Sequence, residues 1–511
     1  MTALARVLRP GALGVDIGAT LNLVGALVKY LSLAFVFPAA LALAYSEPVW
    51  PFIVAGAIAA GAGWGLELVT QGKERVGPRE GFLIVSLTWL AAAMIVALPY
   101  LLAGEEHLSR PVDAYFEAMS GMTTTGASVV ADPAVLDRSM AMWRQFSQWL
   151  GGMGIIVLAL AVLPRLRVGG RQLMESEAPG PEIETLATSI RDTARRLWLL
   201  YVALTGLLIL VLAALGWTGA DERMGLFEAV AHAFSTLPTG GFSTEARSVE
   251  PFAPATQWVI VLFMVIGGVN FALLYRALVR RRPRALARDD EFRLYLGLLA
   301  LGSAALVAIL WEAGLYEGEE AVRHAAFQTV SVMTTTGFAS ADFAAWLAVA
   351  PIAAMIVVAL MFAGGSAGST AGSIKVVRHL VIGRVLRREL DQTVHPEYVA
   401  PIRVNRFAVD ERTVRAVIAF VLLYVGIFVV GAVVLLLDAH RVGLGLSPFG
   451  AIAASASSLG NVGPAFGFAG PRGSFEPFSD FSTGVMTALM WIGRLEIVPV
   501  AVLFSRAYWR A

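Results

Sequence analysis

Four short strings, about a hundred residues apart, constrain this 511-residue chain more than any other feature. They read SGMTTTGAS from Ser120, STLPTGGFS from Ser235, SVMTTTGFA from Ser331 and SSLGNVGPA from Ser457. Take Gly126, Gly241, Gly337 and Gly463 as a common zero. Serine then stands six residues earlier in every copy, and a small polar side chain two residues earlier: Thr124, Thr239, Thr335 and Asn461. Each interval between successive glycines leaves room for two membrane spans and a short helix.

The surroundings fit that spacing. A span needs roughly 20 apolar residues to cross about 30 Å of hydrocarbon. Ten segments meet that length: 21–45, 50–70, 81–103, 140–163, 197–217, 255–279, 292–313, 345–374, 414–437 and 482–506. Shorter apolar stretches near 113–122, 225–237, 321–333 and 447–459 each run directly into one of the strings. They are too short to cross and suit re-entrant helices, because irregular backbone at membrane depth needs protein or water around it. Composition agrees: 57% of residues are hydrophobic, 15% are charged and mean hydropathy is +0.70, against about a quarter charged in soluble domains. The fold class expected is an all-α polytopic membrane protein, an N-terminal helical hairpin followed by four span–pore helix–filter–span repeats around one pore. The hairpin takes 1–75, and the repeats take 76–170, 171–285, 286–390 and 391–511.

Basic residues orient the chain. Lys73, Arg75 and Arg79, then Arg165, Arg167 and Arg171, then Arg280, Arg281, Arg282, Arg284 and Arg288, and finally Lys375, Arg378, Arg384, Arg387 and Arg388 fall on one set of loops. The opposite loops mix acids with single arginines, as in Glu105, Glu106 and Arg110. The positive-inside rule makes the first set cytoplasmic. Both termini then lie inside, and all four short helices enter from outside. The first apolar segment reads as a retained span, since no small-residue cleavage site follows a short apolar run.

The strings have a chemical reading. A dehydrated alkali cation needs a cage of oxygens, and inward-pointing backbone carbonyls supply one without side-chain charge. Glycine reaches the required backbone conformations without steric cost, and the partially negative C-terminal ends of the short helices favour a cation nearby. Small residues in membrane proteins more often mark tight helix packing, but four copies in register, each behind a non-spanning helix, go beyond that explanation. Glu117, His232 and Gln328 each lie nine residues before the zero glycine. They either line the passage or brace the strings from behind by hydrogen bonds.

A second register follows the first at a similar distance in every copy: QWLGGMG at Gly151 and Gly152, VIGGVN at Gly267 and Gly268, FAGGSAG at Gly364 and Gly365, and MWIGRLE at Gly493 and Arg494. Where three copies have a second glycine, the fourth has Arg494. An ionised residue inside a span is costly and points to function. Its alternatives are a place on the passage beneath the strings or a packing salt bridge to Glu496. The stretch 363–375, AGGSAGSTAGSIK, puts four glycines into an apolar segment, each costing a helix about 1 kcal/mol relative to alanine. It reads as a loop at membrane depth lining water, or as a close helix contact.

With these residues in view, the chain resembles the Trk/Ktr/HKT superfamily of potassium transport proteins. The extra hairpin at 21–70 makes it most similar to the bacterial TrkH/TrkG branch. The resemblance implies that the strings form a potassium filter at Thr124, Thr125, Gly126, Thr239, Gly240, Gly241, Thr335, Thr336, Gly337, Asn461, Val462 and Gly463. It places K⁺ at the backbone carbonyls of Thr124, Thr125, Thr239, Gly240, Thr335, Thr336, Asn461 and Val462. A serine at the first zero position accompanies sodium permeation in that family, and here all four are glycine. The resemblance further implies a gate built from Gly364, Gly365, Gly368, Gly372 and Arg494, and a homodimer in the bacterial inner membrane. A cytosolic TrkA-type nucleotide-binding ring is its implied partner. Pro238 and Pro464 flank two of the strings and depart from the usual pattern.

Other function classes fare less well. A symporter coupling K⁺ to Na⁺ or H⁺ is the runner-up, with Glu117 or His232 as its titratable group. Parallel repeats disfavour it, since alternating access usually joins inverted ones. An enzyme is not expected: HExxH and phosphate-loop motifs are missing. With no cysteine and six scattered histidines, no bound cofactor or resident metal is expected; K⁺ would be cargo. No basic tail suggests nucleic acid, so lipid is the other expected partner.

Overall fold

The computed structural model describes residues 14–70, 77–161, 190–397 and 400–510; Lys73, Arg75, Arg165, Arg167 and Arg171 lie outside them. The chain is mostly helical, and among the described residues the strands are confined to an antiparallel pairing of Arg403–Val404 with Phe407–Ala408. Also among the described residues, six helices are long and apolar enough to cross a membrane: Ile17–Tyr45, Trp50–Val69, Arg79–Ala103, Asp192–Trp217, Asp290–Glu312 and Glu411–Val442. Their outer faces carry exposed Leu43, Leu301 and Leu422, as lipid contact requires. This is a multi-pass membrane protein.

The N-terminal hairpin packs where both helices have glycine: a Cβ on Gly25 would strike the Gly63 carbonyl and one on Gly63 the Gly25 carbonyl. Lys29 and Glu67 pair across the same interface. The first helix tightens to a 3₁₀ turn at Ser32–Phe35. Pro38 accounts for this, because its ring crowds the carbonyl four residues back and it has no N–H to donate.

Four short helices sit among the spans: Pro111–Met122, Leu226–Thr236, Gly318–Met333 and Pro448–Gly460. With a rise of about 1.5 Å per residue, even the longest of them, Gly318–Met333, falls short of a membrane's hydrocarbon thickness. Their starts are written locally. Pro111 and Pro448 open two of them, where a missing N–H costs nothing. Glu319 and Glu320 occupy the first turn of the third, where the helix dipole is positive. The Ser447 hydroxyl accepts from the Gly450 amide and so caps the fourth. Each helix ends three to five residues before a zero glycine.

The structure corrects the expected spans at four places, always in the segment that follows a string. The helix over 140–163, Arg138–Ala161, is continuous but too polar to count among the apolar spans, because it buries Arg144, Gln145 and Gln148. Segment 255–279 is bent by 107° between Pro254–Gly267 and Phe271–Leu278, where the Asn270 side chain caps the second piece by accepting from the Leu273 amide. Segment 345–374 is helical only over Trp346–Val349 and Pro351–Leu360, and residues 361–375 form no helix. Segment 482–506 breaks between Asp480–Arg494 and Val498–Leu503. Glu496 and Ile497 there have φ of +56° and +62°, a conformation that ends a right-handed helix.

Candidate functional site: a ring of four strings over a buried loop

The four strings share one backbone. Thr124, Thr239, Thr335 and Asn461 all have φ between +52° and +56°, and the zero glycines have φ of +83°, +81°, +83° and +108°. Positive φ is uncommon for a β-branched threonine and costs on the order of 1–3 kcal/mol. Each string offsets that cost with the same bond: the amide just before the zero glycine donates to the carbonyl of the serine five residues earlier. The distances are 2.8 Å for Thr125 to Ser120, Gly240 to Ser235 and Thr336 to Ser331, and 2.9 Å for Val462 to Ser457.

The strings also close on one another. A Cβ on Gly126 would come within 3.0 Å of the Gly240 carbonyl oxygen. One on Gly241 would meet Thr336 O in the same way, one on Gly337 would meet Val462 O, and one on Gly463 would meet Thr125 O. The contacts run first to second, second to third, third to fourth and fourth back to first. Twelve residues that the sequence singled out are thereby brought together. Above the ring a cavity is lined by Gly126, Gly241, Gly337, Pro464, Arg144 and Glu245.

The polar residues nine positions before the zero glycines brace the strings from behind. Glu117, fully buried, accepts from Arg144 at 2.6 and 2.8 Å, from Ser128 at 2.9 Å and from the Val129 amide at 3.0 Å. His232 lies 3.0 Å from Ser243 and 2.8 Å from the Glu228 carbonyl. Gln328 Nε2 reaches Ser340 at 3.4 Å. Each contacts the chain two or three residues after its own zero glycine.

Beneath the ring, residues 361–375 are held on several sides. The Gly372 amide donates to Thr335 Oγ1 at 2.6 Å, and Thr370 Oγ1 lies 3.3 Å from Thr239 Oγ1. A Cβ on Gly372 would strike the Gly460 carbonyl and press on Asn461. The loop therefore touches the residue two before zero in three strings. The Thr370 hydroxyl donates to the carbonyls of Leu237 and Gly267 at 3.0 and 3.1 Å, and Asn270 Nδ2 donates to Ala367 O at 2.7 Å. The carboxylate of Glu291 accepts from Ala367 N and Val377 N at 2.7 and 3.0 Å, tying the middle of the loop to the start of the helix that follows it.

Arg494 is 3% exposed and donates from Nη1 to the Thr370 carbonyl at 2.8 Å. Its Nε and Nη2 have no hydrogen-bond partner. The alternative salt bridge to Glu496 does not form, because Glu496 pairs with Arg378 instead. The second-register glycines divide by role. Gly151, Gly267 and Gly493 pack on the carbonyls of Met122, Leu237 and Leu459 at the ends of their short helices, which is the tight-packing explanation. Gly364 instead faces the Gly372 and Ile374 carbonyls of its own loop.

A family model described as TrkH, cation transport protein, matches residues 52–510. The chain belongs to the TrkH family. The Trk system potassium uptake protein TrkH of Salmonella typhimurium is 35% identical to this TrkH-family chain over 497 residues, covering 96% of the chain and 98% of the relative. The Trk system potassium uptake protein TrkG of Escherichia coli K12 is 34% identical over 496 residues, with the same coverage. The crystal structure of the potassium transporter TrkH from Vibrio parahaemolyticus superposes with a TM-score of 0.86 at 33% identity, covering 97% of this chain and 100% of that one.

Sequence reasoning alone missed several residues of this TrkH-family site. Gln148 donates to Gly240 O at 2.6 Å and accepts from Phe242 N at 3.1 Å. Arg144 completes the buried pair with Glu117, and Glu291 and Asn270 anchor the loop. Arg144 and Gln148 had one available signal, being polar residues inside a predicted span. Glu291 looked like an ordinary first-turn acid.

Proposed function

We propose that this protein takes up potassium across the bacterial inner membrane, with the ring as its selectivity filter. The cyclic contact of each zero glycine with the next string's carbonyl carries this reading. Four strings of one backbone, meeting head to neighbour around an axis, give the arrangement in which carbonyls can replace a hydration shell. On this reading K⁺ binds at the carbonyls of Thr124, Thr125, Thr239, Gly240, Thr335, Thr336, Asn461 and Val462. The hairpin and the four units of the sequence surround one pore per chain.

The gate is the loop with Gly364, Gly365, Gly368 and Gly372, together with Arg494. The loop lies directly under three strings, and a guanidinium held against it adds a positive charge to the passage. At about 6 Å that charge repels a cation by roughly 3 kcal/mol at an effective dielectric of 20, a retardation on the order of a hundredfold. Both termini are cytoplasmic on this reading. The chain works as a homodimer on a TrkA-type nucleotide-binding ring that draws the third repeat's segment aside; the relatives' naming as components of a Trk system supports a partner of this kind. Ion-coupled symport has less support, since Glu117 and His232 are engaged behind the strings.

Expression in a bacterium stripped of its own potassium uptake should restore growth at low external K⁺. Gly241→Ser should remove that rescue while the protein still reaches the membrane. Rescue that needs added Na⁺ at every K⁺ concentration would favour symport instead.

A further inference from the structure

The four strings are not alike at the residue just before zero, which is Thr125, Gly240, Thr336 and Val462. In the first and third strings this threonine is tied to the threonine two residues earlier, Thr123 and Thr334, each pair of hydroxyls 2.7 Å apart. The second string has neither partner: Gly240 has no side chain and Pro238 no hydroxyl. Nor is the glycine needed for its backbone, since Gly240 is not among the residues at positive φ.

What Gly240 provides is room. A Cβ there would lie 2.5 Å from Gln148 Cδ, 2.6 Å from Oε1 and 2.9 Å from Nε2. Gln148 comes from the helix Arg138–Ala161 of the first repeat, is fully buried, and spans the zero residue Gly241. Its Nε2 donates to Gly240 O at 2.6 Å, and its Oε1 accepts from Phe242 N at 3.1 Å. The register sharpens the point. Gln148 stands three residues before the first glycine of its repeat's second motif. The residues at that place in the other repeats are Met264, Met361 and Met490, all fully buried. Methionine and glutamine are close in length and volume, so the first repeat differs from the others by an amide in place of a thioether.

Building on the proposed filter, we infer that Gln148 is a positioning residue for ion selectivity, serving from the neighbouring repeat as the side chain that the second string lacks. One amide holds the carbonyl before Gly241 and the N–H after it. That fixes the wall against which Gly126 packs. Without the amide, a buried carbonyl and a buried N–H lose their partners, and the second wall is free to adjust to a smaller cation.

The test uses the full-length protein in liposomes, reading the K⁺/Na⁺ permeability ratio from reversal potentials, with thermal unfolding in detergent as the control. Gln148→Met, which inserts the residue the other repeats carry, should lower the ratio about tenfold, the scale set by one buried hydrogen bond left unmade. Gln148→Glu, which keeps the acceptor for Phe242 N but loses the donor to Gly240 O, should lower it too. The double variant Gln148→Ala with Gly240→Thr gives the second string its own side chain and should recover most of the ratio. A wild-type ratio in both single variants overturns the inference, and so does a double variant no better than Gln148→Ala alone. Should Gln148→Met not fold, Gln148→Glu and the double variant decide. If the wild-type protein itself shows no preference for K⁺, the proposed filter fails rather than the role of Gln148.

Discussion

The amide of Gly372 donates to the hydroxyl of Thr335 at 2.6 Å, so the loop beneath the ring is bonded to the ring itself. On the proposed gate, closing the passage and shaping the third string are linked through this hydrogen bond. Thr335→Val keeps the side-chain shape and removes the acceptor. A single bond of this kind contributes about 1 kcal/mol, so K⁺ flux in liposomes should rise about fivefold, while Thr335→Ser should match the wild type. Equal flux in all three proteins would mean that this bond does not keep the loop in place.

On the same proposal, Arg494 adds the electrostatic part of the gate. Arg494→Ala removes both the charge and the bond to the Thr370 carbonyl, and deletion of residues 368–372 removes the segment under the strings. Each should raise potassium flux without changing the preference over sodium. Because Glu496 pairs with Arg378, the alanine variant should also fold. If both variants fold and carry wild-type flux, the gate lies in another part of the chain.

Much of this was legible in the sequence, and the reason is conformational. Positive φ two residues before zero and again at zero restricts the choice to glycine, asparagine and strained threonine, so four copies of the backbone left four matching strings. The loop announced itself because glycines in an apolar run stand out. The breaks at 268–270 and 495–497 did not. Gly267 and Gly268 look like packing glycines, and Ile497 at φ +62° is a residue that locally favours neither a turn nor a break. The partner of Glu117 was hidden as well, because Arg144 lies far along the sequence on a different helix.

That pair offers a test of stability apart from transport. Arg144 and Glu117 are 1% and 0% exposed, and breaking a buried pair by removing one member costs about 3–5 kcal/mol. Glu117→Ala should lower the unfolding temperature in detergent markedly. Combining it with Arg144→Met should recover much of the loss by removing the stranded charge. A single variant as stable as wild type would show that the pair does not brace the first string.

The zero glycines give the sharpest side-chain prediction. Gly126 has φ of +83° and faces the Gly240 carbonyl, and Gly337 has the same φ and faces Val462 O. A serine at either place must push the neighbouring carbonyl away while adopting a conformation that costs about 1–2 kcal/mol. Gly126→Ser and Gly337→Ser should therefore both admit Na⁺, the two substitutions acting on opposite walls of one ring.

On the proposed function, this ring conducts K⁺ and discriminates against Na⁺. Reversal potentials of the purified wild-type protein in liposomes, under opposed K⁺ and Na⁺ gradients, test it most directly. The ring reading predicts a reversal potential close to the K⁺ equilibrium value, shifting toward the Na⁺ value in Gly126→Ser. A potential midway between the two in the wild type, or one that Gly126→Ser leaves unmoved, would contradict it.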